Sequence, residues 1–418
     1  MTQPITRLAI VLSLLAAGPA PARAQHVFTN VNARYEVESV SVTGVPEARL
    51  SATLRDDMQK LVGAKYDPDA TDALADRMRR QLGDYTVSSK VRRGDHPDHV
   101  KVTFDVERAR GRRFEVQLPP LLFYAHEGFS GALVPGFDTH HNHFSVGLVS
   151  NADDLLERNT GVLLRYEHRR VGTDAVQVGV EYDRYHPSFD PATADALANA
   201  PDVPGIYRTR EVFAPSVSVI PIPEVKLTAG ASFQTLTFQY PEPNDQAAHA
   251  FTFDLQFRQR VRTQGGFRHT FRADYGLRYA TSSLGSDFLY TRHHVSGDYT
   301  VSIGRHLLGF HGQAGDVSGR APLFERFSLG NSMMLRGWDK FDVAPLGGSR
   351  LVYGSIEYRY RPFQIFYDVG SVWDPGQTAE VRHSIGIGLV TKDGFFLSLG
   401  FPVRLHHVTP LVMFGFRG

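Results

Sequence analysis

Residues Phe324–Phe341 read FERFSLGNSMMLRGWDKF, and Val352–Asp374, about ten residues further on, read VYGSIEYRYRPFQIFYDVGSVWD. The first stretch is a loop with Arg336 set in Leu335-Arg336-Gly337-Trp338. The second is two period-two segments, one presenting Glu357 and the other Asp368 in Phe366-x-Asp368-x-Gly370. The connection from 319 to 350 is far longer than an ordinary hairpin loop. It also carries Leu323, Phe324, Phe327, Leu329, Met333 and Met334, which an exposed loop does not normally display. A loop this apolar is expected to pack inside whatever the neighbouring strands enclose. An arginine carried in with it is costly to bury unless a carboxylate meets it, and the fixed fork of a guanidinium suits such a pair. Asp368 shares its strand face with Gly370, which leaves room for the loop to approach, so the sequence predicts an Arg336–Asp368 pair. Glu357 has inward parity too and is either a second partner or ordinary interior lining beside Arg359. Arg326, in the same loop, is expected in solvent.

Outward from this stretch, the alternation continues. Phe267, Phe271, Ala273, Tyr275, Leu277 and Tyr279 share one parity, while Arg268, Thr270, Arg272, Asp274, Gly276 and Arg278 hold the other. Phe251 to Phe257 and Val176 to Tyr182 repeat the pattern, with the charges again on a single face. Charges along one whole face imply a watery interior rather than a sandwich core, and runs this long fit tilted membrane-spanning strands. Composition agrees: 28 Phe and 17 Tyr stand against 6 Met, and the net charge of +1 gives no argument for nucleic-acid binding. The sequence contains no cysteine, which excludes disulfides, thiolate metal sites and a lipid-modified cysteine anchor.

Residues 1–24 have the form of a secretory leader, with Arg7 in the charged region, an apolar run over Leu8–Ala17 and Ala22-Arg23-Ala24 as cleavage site. That run of about 10 residues is short of the roughly 20 a spanning helix needs. Residues 34–109 read as a small α+β domain ordered β-α-α-β-β. Leu50, Leu54, Met58 and Leu61 fall on one helical face behind a Ser51 cap; Leu74, Met78 and Leu82 do so behind Asp67-Pro68. The barrel is expected over 115–418, as about fifteen alternating segments, from 121–134 to a closing strand at Thr409–Gly418. Pro119, Pro120 and Pro135 disturb the pattern over Gln117–Asn142.

The Leu335-Arg336-Gly337-Trp338 loop, with Phe366, Asp368 and Gly370 downstream, resembles the signature of the BamA/TamA (bacterial surface antigen) superfamily of outer-membrane assembly proteins. The N-terminal element order resembles a single POTRA domain. The resemblance implies a 16-stranded antiparallel transmembrane barrel, with eleven strands before the loop and five after, preceded by one periplasmic α+β domain. It further implies location in the bacterial outer membrane and work on other polypeptides there, by insertion, assembly or translocation. The implied partners are outer-membrane lipids, polypeptide clients and accessory assembly factors or chaperones, with no nucleic acid and no cofactor. In the family, the arginine of this loop pairs with an acidic residue of the barrel wall, and pairing between first and last strands is weakened to admit a client strand. The alternatives are a passive channel or porin, which would conduct steadily, and a lipid-handling barrel. No hydrolase, metalloprotease or P-loop signature occurs, so no catalytic residues are assigned. His140-His141-Asn142-His143 is expected in a solvated loop rather than at a metal.

Overall fold

The computed structural model describes residues 35–416, apart from 83–84, 109–112, 118–120, 240–242, 264, 392–393 and 405–408. The leader read over 1–24 lies outside the described residues.

The N-terminal module runs β1 (Glu36–Thr43), α1 (Ala52–Leu61), α2 (Pro68–Leu82), β2 (Tyr85–Arg93) and β3 (His99–Arg108). Its sheet has the order β1-β3-β2, with β1 parallel to β3 and β2 antiparallel to it. Ser51 caps α1 by accepting from the Leu54 amide, which satisfies one of the orphan donors of the first turn. Both helices lay their four-spaced apolar rows on the sheet: Leu54, Met58, Leu74 and Met78 close over Val37, Val102 and Phe104. The module therefore has a core of its own.

The barrel opens with a broken strand, β4 (Arg113–Gln117) and β5 (Leu122–Tyr124). It continues through β6 (Gly128–Thr139), β7 (Asn142–Asn151), β8 (Glu157–His168) and β9 (Val176–Phe189). A short α3 (Pro191–Leu197) leads into β10 (Tyr207–Ile222) and β11 (Val225–Phe238). The small β12 (Asn244–Ala247) pairs with the end of β11, in line with β13 (Ala250–Arg262), which pairs with the rest of it. Then come β14 (Arg268–Ala280), β15 (Tyr290–Ile303) and β16 (His306–Gly319). The long connection, with a single-turn α4 (Lys340–Val343), separates these from β17 (Arg350–Tyr360), β18 (Phe363–Trp373), β19 (Arg382–Val390), β20 (Phe395–Pro402) and β21 (Leu411–Phe416). With β4 and β5 counted as one strand and β12 and β13 as another, the wall is a closed antiparallel barrel of sixteen strands, eleven before the connection and five after.

One reading of the sequence is corrected. The segment 121–134 is not one strand: a turn at 125–127 splits it into β5 and β6, and the extra strand comes from the preceding 113–124. Alternation failed there because Pro135 lies within β6, opposite Val116; Pro119 and Pro120, which the sequence reading also singled out, lie outside the described residues. His143 is also displaced from its expected solvated loop. It is the second residue of β7, nearly buried, with Nδ1 2.8 Å from Asp138.

The outer surface is an apolar belt that includes Leu148, Val217, Phe251, Ile365, Ile385 and Ile387, all exposed. Among the described residues, no helix is long and apolar enough to cross a membrane, so the strands form the apolar belt on their own. The N-terminal module sits at the end of the barrel formed by the β8–β9 and β13–β14 turns: Asp69 reaches Arg268 at 3.4 Å and Arg262 at 3.6 Å, and Arg170 donates to the Gln81 carbonyl. The long connection enters from the opposite end.

Candidate functional site

The connection does not project from the barrel. Leu323, Phe324, Phe327, Leu329 and Leu335 are buried in a core completed by wall residues Tyr207, Phe238, Tyr290, Leu351 and Tyr353. Its tip is shaped locally. The Asn331 side chain accepts from the amides of Met333 and Met334, and Leu335 is then held at φ +53, a left-handed value rare for a non-glycine residue. Gly337 follows at φ +107 and lies so close to the wall that a Cβ there would meet the Gly400 carbonyl carbon at 2.7 Å. A Cβ on Gly400 would in turn meet the Arg336 carbonyl at 2.7 Å, so two facing glycines let the loop backbone touch β20. On β18, a Cβ at Gly370 would come within 3.1 Å of Leu329.

This geometry delivers Arg336 to the wall. Its backbone amide and Nε both donate to Asp368 Oδ2 at 2.9 Å, and Nη2 donates to Asp368 Oδ1 at 2.7 Å. Nη2 also reaches the Ser355 hydroxyl at 3.0 Å, and the guanidinium lies 3.6 Å over the Phe366 ring. Asp368 is 0% exposed, so its charge is matched by one residue arriving through backbone and side chain together. Glu357 stands further off, 3.7 Å from Arg336 Nη1, and its closer partner is Arg359 at 2.6 Å. Trp338 donates from Nε1 to the His383 carbonyl at 2.8 Å, with the Arg382 guanidinium 4.7 Å over its ring.

Sequence reasoning missed three further anchors. Lys340, 1% exposed, is 2.9 Å from Glu127 and also donates to the carbonyls of Ala152 and Leu155. Burial pushes the Glu127 carboxyl up to about 7 against the pull of Lys340. Glu325 accepts from Tyr290 at 2.9 Å and from Arg278 at 3.1 Å. Burial raises that carboxyl, but Arg278, Arg292 and the Tyr290 hydroxyl outweigh it and hold Glu325 below its ordinary range. Arg326, expected in solvent, is instead tied to Asp374 at 2.6 Å and to the Leu346 and Gly347 carbonyls. The only signal for these anchors was a charge inside an apolar loop, the same signal that marked Arg336.

The loop also reaches the place where the barrel closes. Tyr124, in β5, donates its hydroxyl to the Trp338 carbonyl at 2.5 Å, and Glu127 lies in the turn that follows. β5 meets β21 through Tyr124↔Met413, Phe123↔Phe414 and Leu122↔Gly415, whereas β14 and β15 pair continuously from Arg268↔Ser302 to Ala280↔Tyr290.

The Omp85 superfamily domain matches residues 136–406, well over half of the chain. The chain belongs to the Omp85 superfamily. Membership in Omp85 places the barrel in an outer membrane. Among solved structures, BamA from Haemophilus ducreyi lacking POTRA domains 1–3 is similar at TM-score 0.59 and 16% identity, covering 91% of this chain and 84% of that one. CdiB from Acinetobacter baumannii is similar at TM-score 0.52 and 11% identity, covering 98% and 96%. At these identities the likeness is one of fold. No curated protein sequence matches this Omp85 chain.

Proposed function

We propose that this Omp85 barrel assists the insertion, assembly or translocation of polypeptides at the outer membrane, with the N-terminal module acting as a POTRA-type domain on the periplasmic side. The observation that carries the reading is the closure between β5 and β21, whose described pairing is the ladder Leu122–Tyr124 against Met413–Gly415 with one further backbone hydrogen bond at each end, Ala125 to Val412 and Phe416 to Leu121, against thirteen paired positions between β14 and β15. Within a membrane, a strand edge must find backbone partners, so a short, weak closure is the place where an incoming strand can be templated. Pro410 and Gly415 in and beside the closing strand, and Gly128 and Gly131 near the opening one, reduce packing and donors there.

In this reading the loop sets the state of the closure. Arg336 fixes it to β18, while Trp338 and Lys340 clasp Tyr124 and Glu127 beside the opening strand. A loop that lets go of the wall would free the opening strand at the same time. A passive channel fits less well, because loop side chains fill one end of the barrel and the N-terminal module sits against the other. The test is outer-membrane proteomics after deletion. A selective loss of other outer-membrane or surface proteins, restored by the wild-type chain, is expected. An unchanged protein complement with altered small-solute uptake would favour the channel.

A further inference from the structure

β13 and β14 pair in a register that sets Arg258 opposite Arg272 and Arg262 opposite Arg268. Like charges directly opposed across a ladder repel each other. Elsewhere the barrel sets opposite signs face to face, as in Arg165 with Glu181, Arg184 with Glu211 and Arg350 with Asp316, and where Arg278 opposes Arg292 the Glu325 carboxylate reaches both. The β13–β14 arginines point inward, since the other parity, with Phe251, Val261, Phe267 and Tyr279, is exposed on the outer face.

Arg260, Arg268 and Arg272 line a cavity of about 620 Å³ between the loop tip and the N-terminal module. The cavity's wall carboxylates are already engaged, Glu357 by Arg359 and Asp298, which stands opposite Arg272 across β14 and β15, by His311, both at 2.6 Å. Among the described residues, no carboxylate lies within ion-pair distance of Arg258, Arg260 or Arg272. One acid does reach this wall from outside the barrel: Asp69, in the first turn of α2, lies between Arg262 and Arg268.

We propose that this arginine wall is a docking site for an acidic, extended segment of a polypeptide, and that Asp69 occupies part of it when no such segment is present. The proposal rests on the reading of the barrel as a handler of polypeptides and names the charge of the segment it takes. A polypeptide carboxylate is the better fit for two reasons. The group seated on the wall is already a carboxylate carried on a peptide backbone. In addition, Arg258, Arg260 and Arg262 follow one another on a single strand face at intervals of about 7 Å, two residues of rise. An extended chain with acids at alternate positions presents its carboxylates at that same interval, whereas a small free anion satisfies only one arginine pair. Entry of such a segment would displace Asp69 and loosen the module's hold on the mouth of the barrel.

The test uses the full-length protein in nanodiscs and a fluorescein-labelled ten-residue peptide alternating Asp and Thr, with its Asn–Thr counterpart as control. Saturable, salt-sensitive binding of the acidic peptide alone is expected. Arg260→Gln combined with Arg272→Gln should weaken it by about tenfold or more, and Asp69→Asn should tighten it several-fold by removing the competitor. Equal binding of the neutral peptide, or no change in the double variant, overturns the site. Unchanged affinity in Asp69→Asn overturns the competition, and that variant stays informative if the double variant fails to assemble. Inorganic phosphate that displaces the peptide at equal concentration makes this a general anion site and overturns the polypeptide assignment. Client assembly in cells is a separate readout: if it depends on the barrel while the peptide is ignored, only the present inference falls.

Discussion

Arg336 commits a backbone amide and two side-chain nitrogens to a single carboxylate, and Asp368 is fully buried. Arg336→Ala should therefore destabilise the docked loop by about 3–5 kcal/mol, the cost of stranding a buried charge. Protease cleavage within 321–349 should become fast while the barrel stays assembled, and a loop as resistant as wild type would count against the pair. Two other anchors respond to pH with opposite signs. Glu127, raised to about 7, holds a proton in the docked loop that it would lose in water. Its contribution is full below the ordinary glutamate value of about 4.3 and fades as pH rises through 7, on the order of 3 kcal/mol in all. Glu325 is depressed, so its contribution is present above that ordinary value and is lost as pH falls beneath it. Amide-exchange protection of the loop should therefore increase from pH 8 to pH 5 and decrease again in stronger acid. Flat protection between pH 8 and pH 5 would show that Glu127 does not govern docking.

At the scale of elements, the N-terminal module and the long loop solve burial differently. The module covers its sheet with its own two helices, and Met78 at 0% exposure and Phe104 at 0% sit at the junction. A fragment spanning 34–109 should unfold in one cooperative thermal transition, and Met78→Ala should cost it about 2–5 kcal/mol. Random-coil chemical shifts for the wild-type fragment would mean that the module needs the barrel to fold. The loop has no sheet of its own. Its apolar residues are covered only by the barrel wall, and its direction is fixed by Gly337 against Gly400. Gly400→Val should expel the tip, because the added atoms have backbone rather than a yielding side chain to displace. A loop that remains protected from exchange in that variant would show that β20 can give way.

At the scale of the whole molecule, the proposed function makes one device of the β5–β21 closure and the loop that clasps its opening strand. Phe123 and Phe414 face each other across the closure, and the native sequence has no cysteine to interfere. Phe123→Cys with Phe414→Cys, oxidised, should halt client assembly, and reductant should restore it. Assembly at the wild-type rate with the closure locked would move the working surface elsewhere on the barrel. Currents through the purified protein in planar bilayers should be small and irregular, because loop and module occupy the two ends.

The barrel was legible because its signal is local. Each wall strand alternates a lipid-facing with a water-facing residue, and Phe267–Tyr279 states its two faces without reference to any other strand. The same rule failed at the first strand, where the pattern over 117–142 is disturbed and no local signal marks the turn at 125–127 that separates β5 from β6. For the candidate site, the sequence could mark Arg336, Asp368 and Glu357 by charge and parity. It favoured Asp368 as the partner of the guanidinium and left Glu357 open between a second partner and interior lining beside Arg359, since parity gives a face and not a height. Lys340 and Glu127 lie 213 residues apart and carry no shared pattern. Their meeting, like that of Asp69 with Arg262 and Arg268, depends on barrel register and on where the chain ends of each element are carried. Those are set by closure of the sheet, a property of all sixteen strands together and of no segment alone.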